Sequence, residues 1–155
     1  MASVFHFFML LCFTSGLMIG ETTANGCPDG WTQHGSRCFI FFHSEKIWVD
    51  AELACISYGG NLASIHNSSE HNFLREVINR VTGSYTHAWI GGFDAIKEGV
   101  WMWTDGSSFV YQPWSVAQPD NGGGNEDCLE MNFRGSFWND GKCTVRRSFV
   151  CAKDM

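Results

Sequence analysis

An α+β domain is the fold class that the sequence predicts, and three observations lead to it. Two stretches in the first half carry apolar residues at helical spacing, short apolar pieces separated by turn residues fill the second half, and seven cysteines stand ready to cross-link them. The 155 residues suit one domain, and 45% apolar with 17% charged residues puts a packed core within reach. Ten Lys and Arg against sixteen Asp and Glu leave a net charge of -6, which argues against nucleic acid as a partner, since that binding rests on neutralising phosphates.

Met1 to Gly20 contain no acid, Lys or Arg, and Val4 to Phe13 is apolar except for His6. The pattern predicts a signal peptide over residues 1–20, with a cut after Gly20 or as late as Ala24, and so a secreted, extracellular protein without a membrane span in the mature chain. Its removal takes Cys12 away and leaves Cys27, Cys38, Cys55, Cys128, Cys143 and Cys151. An even set in a secreted domain reads as disulfides, with fifteen pairings open. No C-x-x-C or H-E-x-x-H occurs and the histidines are scattered, so zinc has no support.

From Ile47 to Tyr58 the residues Ile47, Ala51, Ala54 and Tyr58 form one helical stripe, with Trp48 and Cys55 beside it, and Gly59-Gly60 ends it. Asn61 to Ile65 reads as a short strand. A second helix follows from Ser68 to Val81, its buried face made of Phe73, Leu74, Val77, Ile78 and Val81. Ahead of it, Asn67 has two readings: Asn67-Ser68-Ser69 is an N-glycosylation sequon, and Asn67 with Glu70 is a capping box. Beyond Gly83, strands are predicted at Ala88–Ile90, Val100–Trp103, Cys128–Phe133 and Ser148–Ala152, with a turn at Thr104-Asp105-Gly106 and a glycine-rich loop from Asn121 to Asn125.

Three short runs in the second half carry the chemistry: Gln118-Pro119-Asp120, Glu126-Asp127-Cys128 and Trp138-Asn139-Asp140. Their carboxylates and amides are hard oxygen donors, the kind that Ca²⁺ takes. Gln118, Asp120, Glu126, Asn139 and Asp140 offer five side chains with three negative charges, leaving coordination positions for a ligand. Singly, Asp120-Asn121-Gly122 and Asn139-Asp140-Gly141 are also ordinary turn sequences. No nucleophile elbow, paired acid and base or catalytic zinc motif occurs, so an enzyme is not expected.

In order and spacing the sequence resembles the C-type lectin domain family from Cys27 to Cys151. The landmarks are Cys27-Pro28-Asp29-Gly30-Trp31, Trp48 and Cys55, Leu62-Ala63-Ser64-Ile65, Trp89-Ile90-Gly91-Gly92, Trp103 with Asp105-Gly106, and the three runs above with Cys143 and Cys151. Within the family it looks most like small secreted fish lectins, galactose-specific and ladderlectin-like. The resemblance implies a C-type lectin-like fold over residues 27–152, with two helices, short antiparallel strands and a long calcium-binding loop region. It implies disulfides Cys27–Cys38, Cys55–Cys151 and Cys128–Cys143, and a cis proline at Pro119. It also implies that Gln118, Asp120, Glu126, Asn139 and Asp140 bind one Ca²⁺ and the sugar together.

In that family Gln-Pro-Asp goes with galactose-type sugars, whereas Glu-Pro-Asn goes with mannose-type. The aromatic that often follows the triplet to stack on the sugar is absent; Phe137 is the substitute, while Trp103, Trp114 and Trp138 match buried positions. Asp94, Glu98 and Asp127 match the acidic ligands of an auxiliary Ca²⁺ site in that family, and Asn121 stands where an aspartate is common. The expected partners are galactose-containing glycans on cell or microbial surfaces, in innate defence or agglutination. Weak single-site affinity would need several sites acting together, as in a homo-oligomer. The rivals are an ice-binding protein on the same fold and a protein-binding or toxin-like domain. From Asp94 to Asp140 there are eight acids and two bases, so this segment alone accounts for the net charge of -6 and points to a cation.

Overall fold

A computed structural model describes residues 26–155. The expected signal peptide and its cut lie outside the described residues.

The chain opens with a tight hairpin, β1 (Thr32–His34) and β2 (Arg37–Lys46), and continues through α1 (Trp48–Ser57), β3 (Asn61–Leu62) and α2 (Ser68–Thr82). The second half adds β4 (Ala88–Phe93), β5 (Met102–Trp103), a 3-10 turn at Gly122–Gly124, β6 (Cys128–Phe133), β7 (Phe137–Gly141) and β8 (Arg147–Asp154). In the sheet the order is β1-β2-β8-β4-β6-β7, with β3 against β8 and β5 against β4. Arg37 to Phe42 pair with Asp154 to Phe149, which sets the last strand beside the second. The strands are antiparallel as expected except where β4 meets β8, where Ala88 and Trp89 pair in parallel with Ser148 and Phe149.

Each helix buries the face that its spacing allows. α2 starts where Asn67 Oδ1 accepts the Glu70 N–H at 2.9 Å, and it ends at Gly83, whose φ of 75° is the left-handed conformation that glycine adopts without a Cβ clash. The capping box forms only in part, because the Glu70 carboxylate takes the His66 N–H at 2.8 Å rather than that of Asn67. Leu74, Val77 and Ile78 pack into one core cluster with Phe39, Ile65 and Trp138. Under α1, Ala51 and Cys55 pack with Leu62, Trp89 and Phe149 in a second. Disulfides join Cys27–Cys38, Cys55–Cys151 and Cys128–Cys143, the pairing that the resemblance implied.

Several expectations need correction. Tyr58 and Val81 are 50% and 59% exposed, since periodicity gives the direction of a helical face but not how far along the axis the core extends. Glu52 lies in the buried face of α1, where its carboxylate accepts from Leu62 N and Thr104 Oγ1 and so stitches the helix to β3 and to the loop after β5. The strand at Asn61 stops at Leu62, with Ala63 to Ile65 buried outside the ladder. β4 runs on to Phe93, β5 shrinks to Met102–Trp103, and β8 is longer at both ends. Strands β1, β2 and β7 are additions to the predicted set. The apolar run Cys38 to Phe42 has no alternation to mark it, and the β7 residues read in sequence as ligands rather than as a strand.

Candidate metal centre

Between β5 and β6 the chain makes a long excursion, and β7 grips the stretch before the triplet. Ser115 N donates to Trp138 O and Trp138 N to Pro113 O, both at 2.9 Å, so the loop before the triplet is tied to β7. Trp101, Phe109 and Trp114 pack against this point, with Trp101 and Trp114 centroids 4.9 Å apart. Trp103 and Trp138 are buried and Trp114 partly so, in keeping with the expectation of core packing. The Gln118-Pro119 peptide is cis, again as the resemblance implied.

The structure gathers the two predicted acid sets into two trios. One carboxylate oxygen each from Asp120, Glu126 and Asp140 lies within 4.8 Å of the others, and the same holds for Asp94, Glu98 and Asp127. Asp120 and Glu126 come from the loop, whereas Asp140 and Asn139 are presented by β7. Asp140 accepts from Asp120 N at 3.2 Å and from Asn121 N at 2.6 Å, which folds the triplet back over the strand. Glu126 accepts from Gly122 N at 2.9 Å, where a Cβ on residue 122 would stand 2.7 Å from the same carboxylate, so glycine permits the approach.

Asn121 joins the trios. Its Nδ2 donates to Glu98 at 2.7 Å and its Oδ1 accepts from Glu126 N at 3.0 Å, so the oxygen offered to an auxiliary ion is engaged by backbone. On β7, Asn139 Nδ2 donates to Glu130 at 3.0 Å, and its Oδ1 takes no hydrogen bond among the described residues. Phe137 is exposed at the start of β7, opposite Phe133.

Three features fit a bound cation. Gln118 Oε1 and Asp94 Oδ1 are buried without a hydrogen-bond partner among the described residues, an arrangement that costs energy unless something positive or protic completes it. Desolvation raises the Glu126 carboxyl above its usual range, and the charges of Asp140 and Asp120 push the same way. Desolvation and neighbouring acids raise Asp94 and Glu98 likewise. No ion pair among the described residues involves either trio. Carboxylate and amide oxygens without nitrogen or sulfur are a donor set for Ca²⁺.

A buried acid that sequence reading passed over is Glu130, which accepts from both Asn139 and Arg147. Its signal was present as the one ionisable residue inside the strand Cys128–Phe133.

The fold and this site define a binding domain, and the chain belongs to the C-type lectin family: the Lectin C-type domain matches residues 44–153. Over its full length it is 50% identical to the galactose-specific lectin nattectin of Thalassophryne nattereri, which it covers completely. Among solved structures it resembles the herring type II antifreeze protein, with 38% identity, a TM-score of 0.78, and 83% of this chain and 99% of that one covered. The C-type lectin CEL-I of Cucumaria echinata is similar too, with 30% identity, a TM-score of 0.79, and 83% and 97% covered. The match is to a lectin family and not to an enzyme.

Proposed function

We propose that the chain is a secreted, Ca²⁺-dependent lectin for terminal galactose-type sugars, acting in innate defence or agglutination. In this reading residues 1–20 are the signal peptide, cut after Gly20 or Ala24, and residues 27–152 are the lectin domain. The observation that carries it is the convergence of Asp120, Glu126 and Asp140, together with the buried, unpartnered Gln118 Oε1. Gln118, Asp120, Glu126, Asn139 and Asp140 hold the ion. A bound Ca²⁺ supplies the coordination positions that two vicinal sugar hydroxyls fill.

The side chains supply direction. The Gln118 amide carries N–H donors whereas the Asp120 carboxylate is acceptor-only, and this difference selects the arrangement of the two hydroxyls. The name of nattectin supports galactose as the sugar class. With glycine from Gly122 to Gly124 in place of an aromatic, each site is weak and Phe137 gives the apolar contact, so useful avidity rests on a homo-oligomer. Asn67, exposed at the start of α2, is the glycosylation site in this reading, since capping uses its oxygen and leaves the nitrogen free. Asp94, Glu98 and Asp127 with Asn121 form the auxiliary Ca²⁺ site.

Two measurements test this. Galactose-agarose is expected to retain the protein in Ca²⁺ and release it in EDTA; retention indifferent to EDTA overturns the mechanism. Gln118→Glu with Asp120→Asn is expected to move preference toward mannose, and an unchanged sugar ranking removes the triplet as selector. Likeness to the herring antifreeze protein favours ice as the alternative ligand, and thermal hysteresis at millimolar protein would establish it.

A further inference from the structure

We propose that Glu130, which is not itself a metal ligand, is the positioning residue that fixes the Asn139 amide with its oxygen toward the cation site. The inference rests on the calcium reading given above and specifies how one of its ligands is oriented.

An asparagine amide has two ends of similar size and opposite polarity, and a ligand site needs a particular one of them. Asn139 is 9% exposed on β7, directly opposite Glu130 on β6, so the strand register sets the two side chains face to face. Glu130 is itself 2% exposed, and its two oxygens are divided. Oε2 accepts from Arg147 Nε at 2.7 Å and lies 3.6 Å from His87 Nδ1, while Oε1 accepts from Asn139 Nδ2 at 3.0 Å. An ionised carboxylate can only accept. With the amide reversed, two oxygens would face each other in a buried site, a loss of one charge-assisted bond with repulsion added.

The orientation therefore comes from a chain that begins at the surface with Arg147, passes through Glu130 and ends at Asn139. It leaves Asn139 Oδ1 for the cation and one N–H of the same amide for a sugar hydroxyl. The charge stands deep in β6 between Leu129 and Met131, which are part of the apolar core. Arg147 also offsets the cost of burying that charge.

The test exploits donor and acceptor exchange. Glu130→Gln keeps the shape but supplies an amide that satisfies Asn139 in either orientation, and it is expected to weaken Ca²⁺ binding by calorimetry, and Tb³⁺ binding by luminescence, about 10-fold or more. Asn139→Asp alone sets two carboxylates against each other and is expected to weaken both as well. The double variant Glu130→Gln with Asn139→Asp restores a donor facing an acceptor. It is expected to recover cation affinity to within about threefold of wild type, the coupling of a double-mutant cycle, while losing galactose retention because a carboxylate at position 139 has no N–H to offer. A purely structural role for Glu130 predicts no such recovery.

Melting in EDTA checks folding of each variant, and the Asn139 side-chain amide in an ¹⁵N spectrum of the metal-free protein reads its orientation directly. Its resonances are expected to be a single slowly exchanging pair in wild type and to shift or double in Glu130→Gln. Wild type that binds neither ion overturns the proposed function and this inference with it. Wild type that binds, beside a folded Glu130→Gln that binds equally well, overturns the inference alone, as does a double variant that folds without recovering affinity.

Discussion

The two halves of the molecule satisfy their buried polar groups in different ways. In the body built from α1, α2 and the β2–β8 pair, buried acids have protein partners: Glu52 takes Leu62 N, and Glu70 takes His66 N and Arg37. In the excursion from Asp94 to Asp127, the acids other than Asp105 face acids, and Asp94 Oδ1 and Gln118 Oε1 have no partner among the described residues. Apolar side chains there also point outward, with Ile96, Val110 and Val116 at 77%, 75% and 83% exposure. The buried acids of the body are held by protein donors, whereas the two acid trios of the loop region have no ion pair among the described residues. The bonds around Trp138, the Cys128–Cys143 bridge and strand β7 link the two near the triplet, and Thr104, Asp105 and Tyr111 link them through Glu52, Ser64 and His71.

That contrast predicts separable failures. The largest effect belongs to the body. Replacing Cys55 and Cys151 by alanine opens the bridge with the widest sequence separation, 96 residues, and is expected to cost roughly 4 to 5 kcal/mol in denaturant unfolding. A loss below about 1 kcal/mol would mean that packing in β2 and β8 carries the body without it.

Next comes acid. Burial, aided by the charge of Arg75, lowers the His71 pKa from 6.5 to about 4, so the folded state holds this imidazole neutral beside Tyr111. The unfolded chain binds the proton more readily, hence stability is whole above about pH 6.5 and declines as pH falls towards 4, by about 3 kcal/mol in all. Melting of wild type and His71→Gln in EDTA across that range checks it. The difference between them is expected to vanish at the acid end, and parallel curves would show that His71 does not titrate in this window.

The smallest effect on folding, and the most telling, is in the loop. Asp120→Ala is expected to leave the melting temperature in EDTA within about 2 °C of wild type, an effect of under about 0.5 kcal/mol. It is also expected to abolish the gain that Ca²⁺ provides, which for wild type is about 2.7 kcal/mol at one hundred times the dissociation constant. If Asp120→Ala unfolds the metal-free protein as a core substitution would, the two regions are not independent.

Legibility in the sequence follows the same division. α2 could be read because Leu74, Val77 and Ile78 recur at helical spacing, and α1 because Ala51 and Cys55 do. The donor types at Gln118, Asp120, Glu126, Asn139 and Asp140 were legible as local runs, each next to a proline, cysteine or tryptophan landmark. β2 was not, for an unbroken apolar run such as Cys38 to Phe42 carries no period. Glu52, Glu70 and Glu130 were not legible as buried acids either, since composition places a glutamate outside and only a partner brought from elsewhere reverses that.

By itself the sequence determined the six cysteines from Cys27 to Cys151, the two helical faces, the concentration of all net charge between Asp94 and Asp140, and the oxygen chemistry available there. The cysteine pairing came from resemblance. Only the tertiary structure decided which oxygens meet. Asp120 and Asp140 are twenty positions apart and come together because Trp138 holds the loop and β6 pairs with β7, while Glu130 faces Asn139 through the register of the same two strands. The physical reason is range: spacing along a chain encodes periodicity and local turns, but a hydrogen bond or a shared ion depends on distances of about 3 Å that only cross-strand pairing and packing establish.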